Sequence, residues 1–155
     1  MATVIDIQPA SAADAEALAA LQWRWRVEEG HQTPAYDLVE FADALREWME
    51  FRAESHLAFL ARLHAEAVGM AWLAILDRTP SPAKLVRLGG HVQSVYVMPG
   101  HRRQGIGSAL VHHVIDVSHE RDLAWLLVHP SVSSISFYRA LGFAASASHM
   151  ALRKR

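Results

Sequence analysis

The sequence predicts an α/β fold in one domain of 155 residues, and three observations support this prediction. Residues 56–63 and 67–76 are almost continuously apolar, which is typical of strands in a sheet that is covered on both faces. Ser11 and Asp37 each begin a capping-box pattern, which marks the start of a helix. The chain has no repeat, linker or low-complexity tract, and its length is near the commonest domain size. We therefore predict a single domain over residues 1–155.

The N-terminal part predicts one strand followed by two helices. Residues 3–8 alternate between polar and apolar side chains, as in a half-buried strand. The first helix follows Ser11 and ends at residues 30–34, which contain glycine and proline. Its buried stripe is predicted to be Leu18, Leu21 and Trp25. The second helix follows Asp37, and its predicted apolar face consists of Leu38, Phe41, Leu45 and Trp48.

The rest of the chain predicts five strands and two helices. The two apolar strands are joined by a tight turn, and residues 78–84 form a loop because two closely spaced prolines suit neither a helix nor a central strand. Gly142 ends the last helix. The predicted elements are strands at 56–63, 67–76, 86–98, 123–128 and 147–153, and helices at 105–119 and 133–141.

Composition excludes several classes of function. The formal net charge is −1, so binding of nucleic acid through bulk charge is not expected. The chain contains no cysteine, which excludes disulfides, a thiol nucleophile and cysteine-ligated metals. The N-terminus lacks the basic-then-apolar pattern of a signal peptide, and no apolar run reaches membrane-spanning length. We therefore expect a cytoplasmic protein that has neither nucleic acid nor a membrane as its partner.

A basic turn with two glycines stands at the start of the helix predicted at 105–119. It contains Arg102 and Arg103, and Gly105 and Gly107 lie at the mouth of the helix. Such a turn directs unpaired backbone N–H groups, two guanidinium groups and the positive end of a helix dipole to one point. The glycines leave room for an anion beside the backbone. The stretch therefore predicts a site for a phosphorylated ligand, and a pyrophosphate is the ligand we expect.

Two other phosphate-binding patterns do not fit this stretch. A Walker loop requires a lysine followed by serine or threonine after its second glycine, and neither follows Gly107. A dinucleotide-binding fingerprint requires a small residue three positions after Gly107, where Leu110 stands. It also requires an acidic residue at the end of the next parallel strand, where the chain has Val128 and His129.

Two motifs together point to one family. Residues 102–107 form Arg-x-x-Gly-x-Gly directly after a strand that ends in Val-x-Val-x-Pro, and residues 136–143 read Ser-Phe-Tyr-Arg-Ala-Leu-Gly-Phe. In this order they resemble the two signatures of the GNAT superfamily of acyl-CoA-dependent N-acetyltransferases, over about a third of the chain. The resemblance implies a mixed, strongly twisted sheet of six to seven strands flanked by about four helices. It also implies acetyl-CoA as co-substrate, a primary amine as acceptor and no metal, and family members often form homodimers.

The resemblance implies two catalytic side chains, His91 and Tyr138. Strand alternation predicts that His91 lies on the same face as Gln93, Val95 and Val97, and family members carry a proposed base at this strand position. A histidine with an ordinary pKa of about 6.5 can accept a proton at neutral pH. The alternatives are that His91 only forms a hydrogen bond at a strand end, that His129 is the base, or that a water positioned by Gln93 is the base. Tyr138 stands where the family has its general acid for the thiolate; the alternative is an aromatic side chain that packs in the core.

The resemblance also implies a binding path for acetyl-CoA. In this path the backbone of the strand at 86–98 binds the pantetheine arm, and the N–H of Val97 polarises the thioester carbonyl. The alternative is an ordinary strand whose backbone groups are all paired with neighbouring strands. Ser131 and Ser134 stand where the family often has asparagine and alanine, and a serine hydroxyl can bind the cofactor with shorter reach. The predicted cofactor-binding residues are Val95, Tyr96, Val97, Arg102, Arg103, Gln104, Gly105, Ile106, Gly107, Ser108, Ser131, Ser134 and Tyr138.

The acceptor site is expected beside the first two helices, where family members build it. Aromatic rings and carboxylates there could hold a cationic amine, although the alternative is that the tryptophans pack in the core and the glutamates are solvated. The predicted function is direct acetyl transfer to a primary amine of a small molecule or peptide. A non-catalytic acyl-CoA sensor, mildly favoured by Ser131, and a protein N-terminal or lysine acetyltransferase are the alternatives. The predicted substrate-binding residues are Trp25, Glu28, Tyr36, Trp72, Gln93 and His129.

Overall fold

Five strands form one mixed sheet in sequence order in the computed structural model, which describes residues 4–154. The first four strands pair antiparallel with their neighbours, and the fifth pairs parallel to the fourth. A parallel pair requires a crossover, which the third helix provides. The strands are β1 (Asp6–Ala10), β2 (His56–Leu63), β3 (Glu66–Arg78), β4 (Arg87–Val97) and β5 (Leu126–Val128).

Four α-helices flank this sheet, as the sequence predicts: α1 (Ala15–Trp23), α2 (Leu38–Phe51), α3 (Ile106–Glu120) and α4 (Ile135–Ala140). Both predicted capping boxes are present. At the start of α2, Asp37 accepts from the N–H of Glu40, and the Glu40 carboxylate accepts from the N–H of Asp37, both at 2.9 Å. α1 continues as a π-helical turn over Arg24–Glu29. Among residues 4–154, no helix combines the length and apolar character needed to cross a bilayer.

A hydrophobic core lies on each face of the sheet. On one face, Leu110 of α3 packs against Leu73 of β3. On the other face, Leu18 of α1 packs with Met70 and Trp72 of β3. Alternate residues of a strand point to opposite faces, so a strand that is covered on both faces must be apolar at nearly every position. This explains the continuous apolar character of β3.

The α/β fold class is confirmed, but the expected count of six to seven strands is wrong, because the described residues contain five. The strand predicted at 147–153 is absent, and Met150 and Leu152 are 94% and 101% exposed. Alanine and serine fill much of this segment, and they offer little packing across a strand pair. β1 begins at Asp6, and residue 3 of the predicted first strand lies outside the described residues.

The apolar face predicted for α2 is only partly covered by the sheet. The buried residues of this helix are Ala42 and Met49. In contrast, Leu38 and Trp48 of the predicted face are 37% and 39% exposed. α2 therefore leaves open space between its aromatic side chains and the sheet.

Candidate active site

A groove opens in the sheet where β4 and β5 separate. The two strands pair at only three positions, ending at Val92 and Val128, whereas β4 continues to Val97. The N–H of Met98 donates to the carbonyl of Val68 on β3 at 2.9 Å, so the alternation of a strand turns the N–H of Val97 the other way, towards the groove. The end of β4 therefore offers backbone hydrogen-bonding groups to a ligand.

A β-bulge in β4 accompanies this separation. Ala71 of β3 faces two residues of β4, Ser94 and Val95, and Ser94 has a left-handed φ of 50°. A bulge bends its strand and changes which face the following side chains occupy. The prediction that Val95 and Val97 share a face with His91 is therefore wrong, because both valines pack against the core below α3. Ser94 carries no glycine or asparagine signal for this conformation, so the sequence alone did not indicate the bulge.

The basic turn forms an anion-binding shape at one end of the groove. Arg103 and Gly105 are both left-handed, with φ values of 62° and 81°, which directs backbone N–H groups to one side. The N–H of Ala109 donates to the carbonyl of Gly105 at 3.0 Å in the first turn of α3. The N–H groups of residues 106–108 precede this bond, so they have no partner within the helix. They face outwards at the positive end of the helix dipole, which favours an anion.

Arg102 holds the basic turn against β4. Its Nε donates to the carbonyl of Val97 and its Nη2 donates to Glu29, both at 2.8 Å, and its Cζ lies 5.5 Å from the ring centroid of Tyr96. The hydroxyl of Tyr96 donates to the other oxygen of Glu29. Burial acts to raise the pKa of Glu29, but the hydrogen bonds from Tyr96 and Arg102 outweigh it and lower that pKa. Arg102 and Arg103 are both exposed, and both line the groove.

Two histidines meet elsewhere along the groove. His91 Nε2 and His129 Nδ1 are 2.8 Å apart, and Gln93 Nε2 lies 3.4 Å from His91 Nδ1. The ring centroid of His149 is 5.5 Å from that of His129. Burial, together with the charges of His129 and His149, lowers the pKa of His91 from its ordinary value of 6.5. His91 is therefore neutral at pH 7 and can accept a proton.

These hydrogen bonds define a route for a proton. With the Gln93 amide as donor, Nδ1 of His91 is an acceptor and its Nε2–H donates to Nδ1 of His129. A proton that arrives at Nδ1 of His91 can therefore be balanced by loss of the Nε2 proton to His129, whose side chain is exposed to water.

Tyr138 lines the groove from α4 and is 8% exposed. The rings of Phe137 and Phe143 meet it edge to face, with centroids 5.0 and 5.5 Å away. Burial raises the pKa of Tyr138, so the phenol keeps its proton at neutral pH. In the turn before α4, the hydroxyl oxygens of Ser131 and Ser134 are 2.9 Å apart.

The sequence matches the family described as the acetyltransferase (GNAT) family over residues 15–143, which is most of the chain. The chain belongs to the GNAT acetyltransferase family. The match spans both the basic turn and the Phe-Tyr helix that build the groove.

Known relatives of this GNAT chain differ in the acceptors that they are named for. Glucosamine 6-phosphate N-acetyltransferase of Trypanosoma brucei brucei is 32% identical over 85 residues, 55% of this chain and 56% of that protein. Peptidyl-lysine N-acetyltransferase YjaB of Salmonella typhimurium is 25% identical over 96 residues, 61% of this chain and 65% of that protein. The matched regions thus span less than two thirds of either relative. A predicted acetyltransferase of Clostridium acetobutylicum, solved with acetyl-CoA, shares the fold, with a TM-score of 0.77 at 18% identity over 97% of this chain and 96% of its own.

The groove of the GNAT chain has a volume of about 1430 Å³ and gathers most residues that were predicted to bind acetyl-CoA. His91, Gln93 and His129 line it too. Gln104 is exposed and lies outside this lining. The predicted cofactor-binding residues in the lining are Val95, Tyr96, Val97, Arg102, Arg103, Gly105, Ile106, Gly107, Ser108, Ser131, Ser134 and Tyr138.

The aromatic residue predicted to hold a cationic acceptor already has a cation beside it. Trp25 lines the groove and stacks on Tyr96, with ring centroids 5.7 Å apart. The guanidinium of Arg26 lies 3.7 Å from the centroid of the Trp25 ring. Trp25 is therefore a structural wall that joins the π-helical turn to β4.

The other residues predicted to bind the acceptor do not lie together in the groove. Glu28 is exposed and Tyr36 is 66% exposed, and neither lines the groove. Trp72 is 6% exposed and lines a second cavity, which Gln93 lines as well. Only Gln93 among the predicted acceptor residues therefore borders both the groove and the second cavity.

Proposed function

We propose that this chain is an N-acetyltransferase that moves the acetyl group of acetyl-CoA directly to a primary amine. The observation that carries the proposal is the groove, which joins an anion-binding helix start to the His91–His129 pair past the unpaired end of β4. An isolated anion site would suit many phosphorylated ligands, whereas a base and a buried phenol in the same groove suit acyl transfer. The chain has no cysteine, so an S-acetyl enzyme plays no part.

Binding of acetyl-CoA would use backbone groups above all. The N–H groups of residues 106–108, with the side chain of Arg103, would receive the pyrophosphate. The free edge of β4 at Val95 and Val97 would pair with the amide groups of the pantetheine arm, in the manner of an added strand. The N–H of Val97 would then stabilise negative charge on the thioester oxygen. The end of strand pairing at Val92 supports this placement.

The chemistry requires the acceptor to lose a proton, because an alkylammonium with a pKa of about 10.4 is not a nucleophile. We assign proton acceptance to Nδ1 of His91, where the acceptor amine would displace the long 3.4 Å bond from Gln93, with loss of the Nε2 proton to His129 and then to water. The amine nitrogen bonds to the acetyl carbon as the carbon–sulfur bond breaks, and the nitrogen then loses its second proton to solvent to give the amide. Tyr138 donates its phenolic proton to the departing thiolate and recovers one from solvent.

The first test is release of CoA thiol from acetyl-CoA against pools of polyamines, aminoglycosides, amino acids, arylalkylamines and short peptides. Release with one pool supports transfer and defines the acceptor class. The variant His91→Ala should lower kcat by about 10²- to 10⁴-fold and leave the Kd of acetyl-CoA unchanged within about twofold. His112→Ala is the matched control, because His112 is exposed on α3 and outside the groove. Equal kcat values for the two variants would remove His91 as the base.

A non-catalytic acyl-CoA sensor is the second candidate. The observation in its favour is the hydroxyl of Ser131, which stands where the family often has an asparagine and which already contacts the hydroxyls of Ser133 and Ser134, at 3.2 and 2.9 Å. Binding of acetyl-CoA with no thiol release from any pool would favour the sensor. Release with peptides alone would instead indicate a protein N-terminus or lysine as the acceptor.

A further inference from the structure

A second cavity, of about 370 Å³, lies between α2 and the sheet beside the groove. In the sheet register, Trp72 is opposite Gln93 and Ala74 is opposite His91, so these side chains stand on one face. Gln93 and Ser94 line both the groove and the second cavity. The second cavity therefore begins beside the proposed base.

The walls of the second cavity are aromatic and apolar. Phe41, Leu45 and Trp48 of α2 form one wall, and Trp72 of β3 forms another. Trp48 meets Trp72 edge to face, with ring centroids 6.0 Å apart. Trp48 is 39% exposed and Phe41 and Leu45 are half-buried, so an apolar ligand that covered these three side chains would remove their surface from water.

Two residues that line this cavity each have one buried polar side-chain atom with no hydrogen-bond partner among residues 4–154. The two atoms are Oε1 of Gln22, an acceptor, and Nε1 of Trp72, a donor. The amide nitrogen of Gln22 is engaged, since it donates to the hydroxyl of Ser94 at 3.4 Å. An unsatisfied buried polar atom costs about 1–3 kcal/mol, so a ligand group that bonds to one gains that energy on binding. A hydroxyl can satisfy either atom, because it both accepts and donates.

The charge of the cavity excludes several kinds of acceptor. None of its eight lining residues, all within the described part of the chain, is ionisable. A phosphate or a second ammonium group buried there would lose its hydration without gaining a counter-ion. The volume is near the lower end of the range of about 300–1,000 Å³ for ligand pockets, which suits a body of one or two rings.

We propose that this cavity holds the body of the acceptor, and that the acceptor is a primary amine on an uncharged aromatic or cyclic body that carries a hydroxyl or a similar polar group. Acetylation of the bound amine rests on the proposed transferase function, whereas binding of the amine in the cavity does not depend on that function. It separates this chain from the relatives that are named for a sugar phosphate or for peptidyl lysine.

The test compares tyramine with phenethylamine, which differ by one hydroxyl, and with spermidine and glucosamine 6-phosphate as charged comparators. Thiol release should give a kcat/KM for tyramine roughly tenfold above that for phenethylamine. Both should exceed the charged comparators by at least about 100-fold. A charged comparator that is used better than both arylethylamines would overturn the proposal.

Two matched variants locate the effect in the cavity. Trp72→Phe keeps an aromatic ring and removes the unpartnered N–H, so the tyramine preference should fall, through KM and not through kcat, and any preference that persists would come from Oε1 of Gln22. Trp48→Phe removes an N–H from the same cavity that is not among the unsatisfied atoms, so the preference should persist. Equal preferences in the two variants and the wild type would contradict a hydrogen bond from Nε1 of Trp72 to the hydroxyl of tyramine.

Calorimetry separates this proposal from the proposed transferase activity. Tyramine should bind the CoA-loaded protein, and Trp72→Phe should weaken that binding by roughly tenfold. Such binding without thiol release from any amine would support the cavity assignment and contradict the proposed transferase activity. Thiol release with another pool, combined with no binding of either arylethylamine, would leave the transferase standing and overturn the cavity assignment.

Discussion

Replacement of Gly107 by alanine should weaken acetyl-CoA binding without weakening the fold. A methyl group on Gly107 would lie 3.5 Å from Cζ of Phe137 and 3.8 Å from Cγ2 of Val97, which are ordinary contact distances. The protein therefore accommodates the methyl without a clash. Alanine also favours a helix over glycine by up to about 1 kcal/mol. The free energy of unfolding of Gly107→Ala should consequently equal or slightly exceed that of the wild type.

The effect on binding should have the opposite sign. Phe137 and Val97 both line the groove, so the methyl stands in the groove at the start of α3. A pyrophosphate that is pushed away from the helix start would lose about one charged hydrogen bond, worth about 1.5–3 kcal/mol. Because about 1.4 kcal/mol corresponds to a tenfold change, the Kd of acetyl-CoA should rise by about 10- to 100-fold.

Isothermal titration with acetyl-CoA and urea unfolding measure the two effects separately. Gly100→Ala is the matched control, because its methyl would meet open space and Gly100 lies outside the groove lining, so both quantities should stay unchanged. In contrast, Gly105→Ala should lower the free energy of unfolding by about 1–2 kcal/mol, because Gly105 has a left-handed φ of 81° that alanine adopts only with strain. A wild-type Kd for a fully folded Gly107→Ala would show that the pyrophosphate does not approach the start of α3.

Three further predictions concern the side chains around the groove. Tyr138→Phe should lower kcat by about 10²-fold with little change in the Kd of acetyl-CoA, and single-turnover kinetics with a thiol reagent would show this. His129→Asn should lower kcat, and it should also move the acidic limb of the pH–rate profile to higher pH. Loss of the His129 charge lets the pKa of His91 rise, so His91 becomes protonated and stops acting as a base at a higher pH than in the wild type. Glu29→Gln should lower the free energy of unfolding at pH 7 by about 1 kcal/mol through its weaker bond to Arg102. Since the pKa of Glu29 is held below 4.5, the wild-type advantage should disappear as pH falls through that lowered pKa, which urea unfolding at several pH values measures.

Local chemistry accounts for what the sequence predicted well. The capping boxes at Ser11 and Asp37 fix helix starts within four residues of chain, and no tertiary contact is needed to recognise them. The left-handed turn before α3 depends on Gly105, which tolerates its φ without strain. Two motifs of a few residues each were sufficient for the family resemblance, and the match over residues 15–143 agrees with it.

Contacts between distant parts of the chain account for what the sequence did not predict. The sequence left Glu29 either as a carboxylate beside the acceptor or as part of a solvated helix end, yet it binds Arg102 and Tyr96, which lie 73 and 67 positions along the chain. Gln22 and Trp72, each with a buried polar atom that has no partner among residues 4–154, line the gap between α2 and the sheet. No periodicity or motif encodes such a gap.

The bulge at Ser94 explains how one strand can serve both halves of the site. Before it, Gln93 stands on the face that carries Trp72 and the second cavity, and after it Tyr96 occupies that same face. The intervening extra residue lets Val97 pack below α3 while the strand edge stays free for a cofactor.

In an unbulged strand, the period of two would put Val97 on the acceptor face and Tyr96 into the opposite core. The hydrogen bond from Tyr96 to Glu29 would then be lost, and with it one of the contacts that place Arg102 at the basic turn. A left-handed serine costs about 1–3 kcal/mol, and the position of both sites relative to one strand depends on that strain.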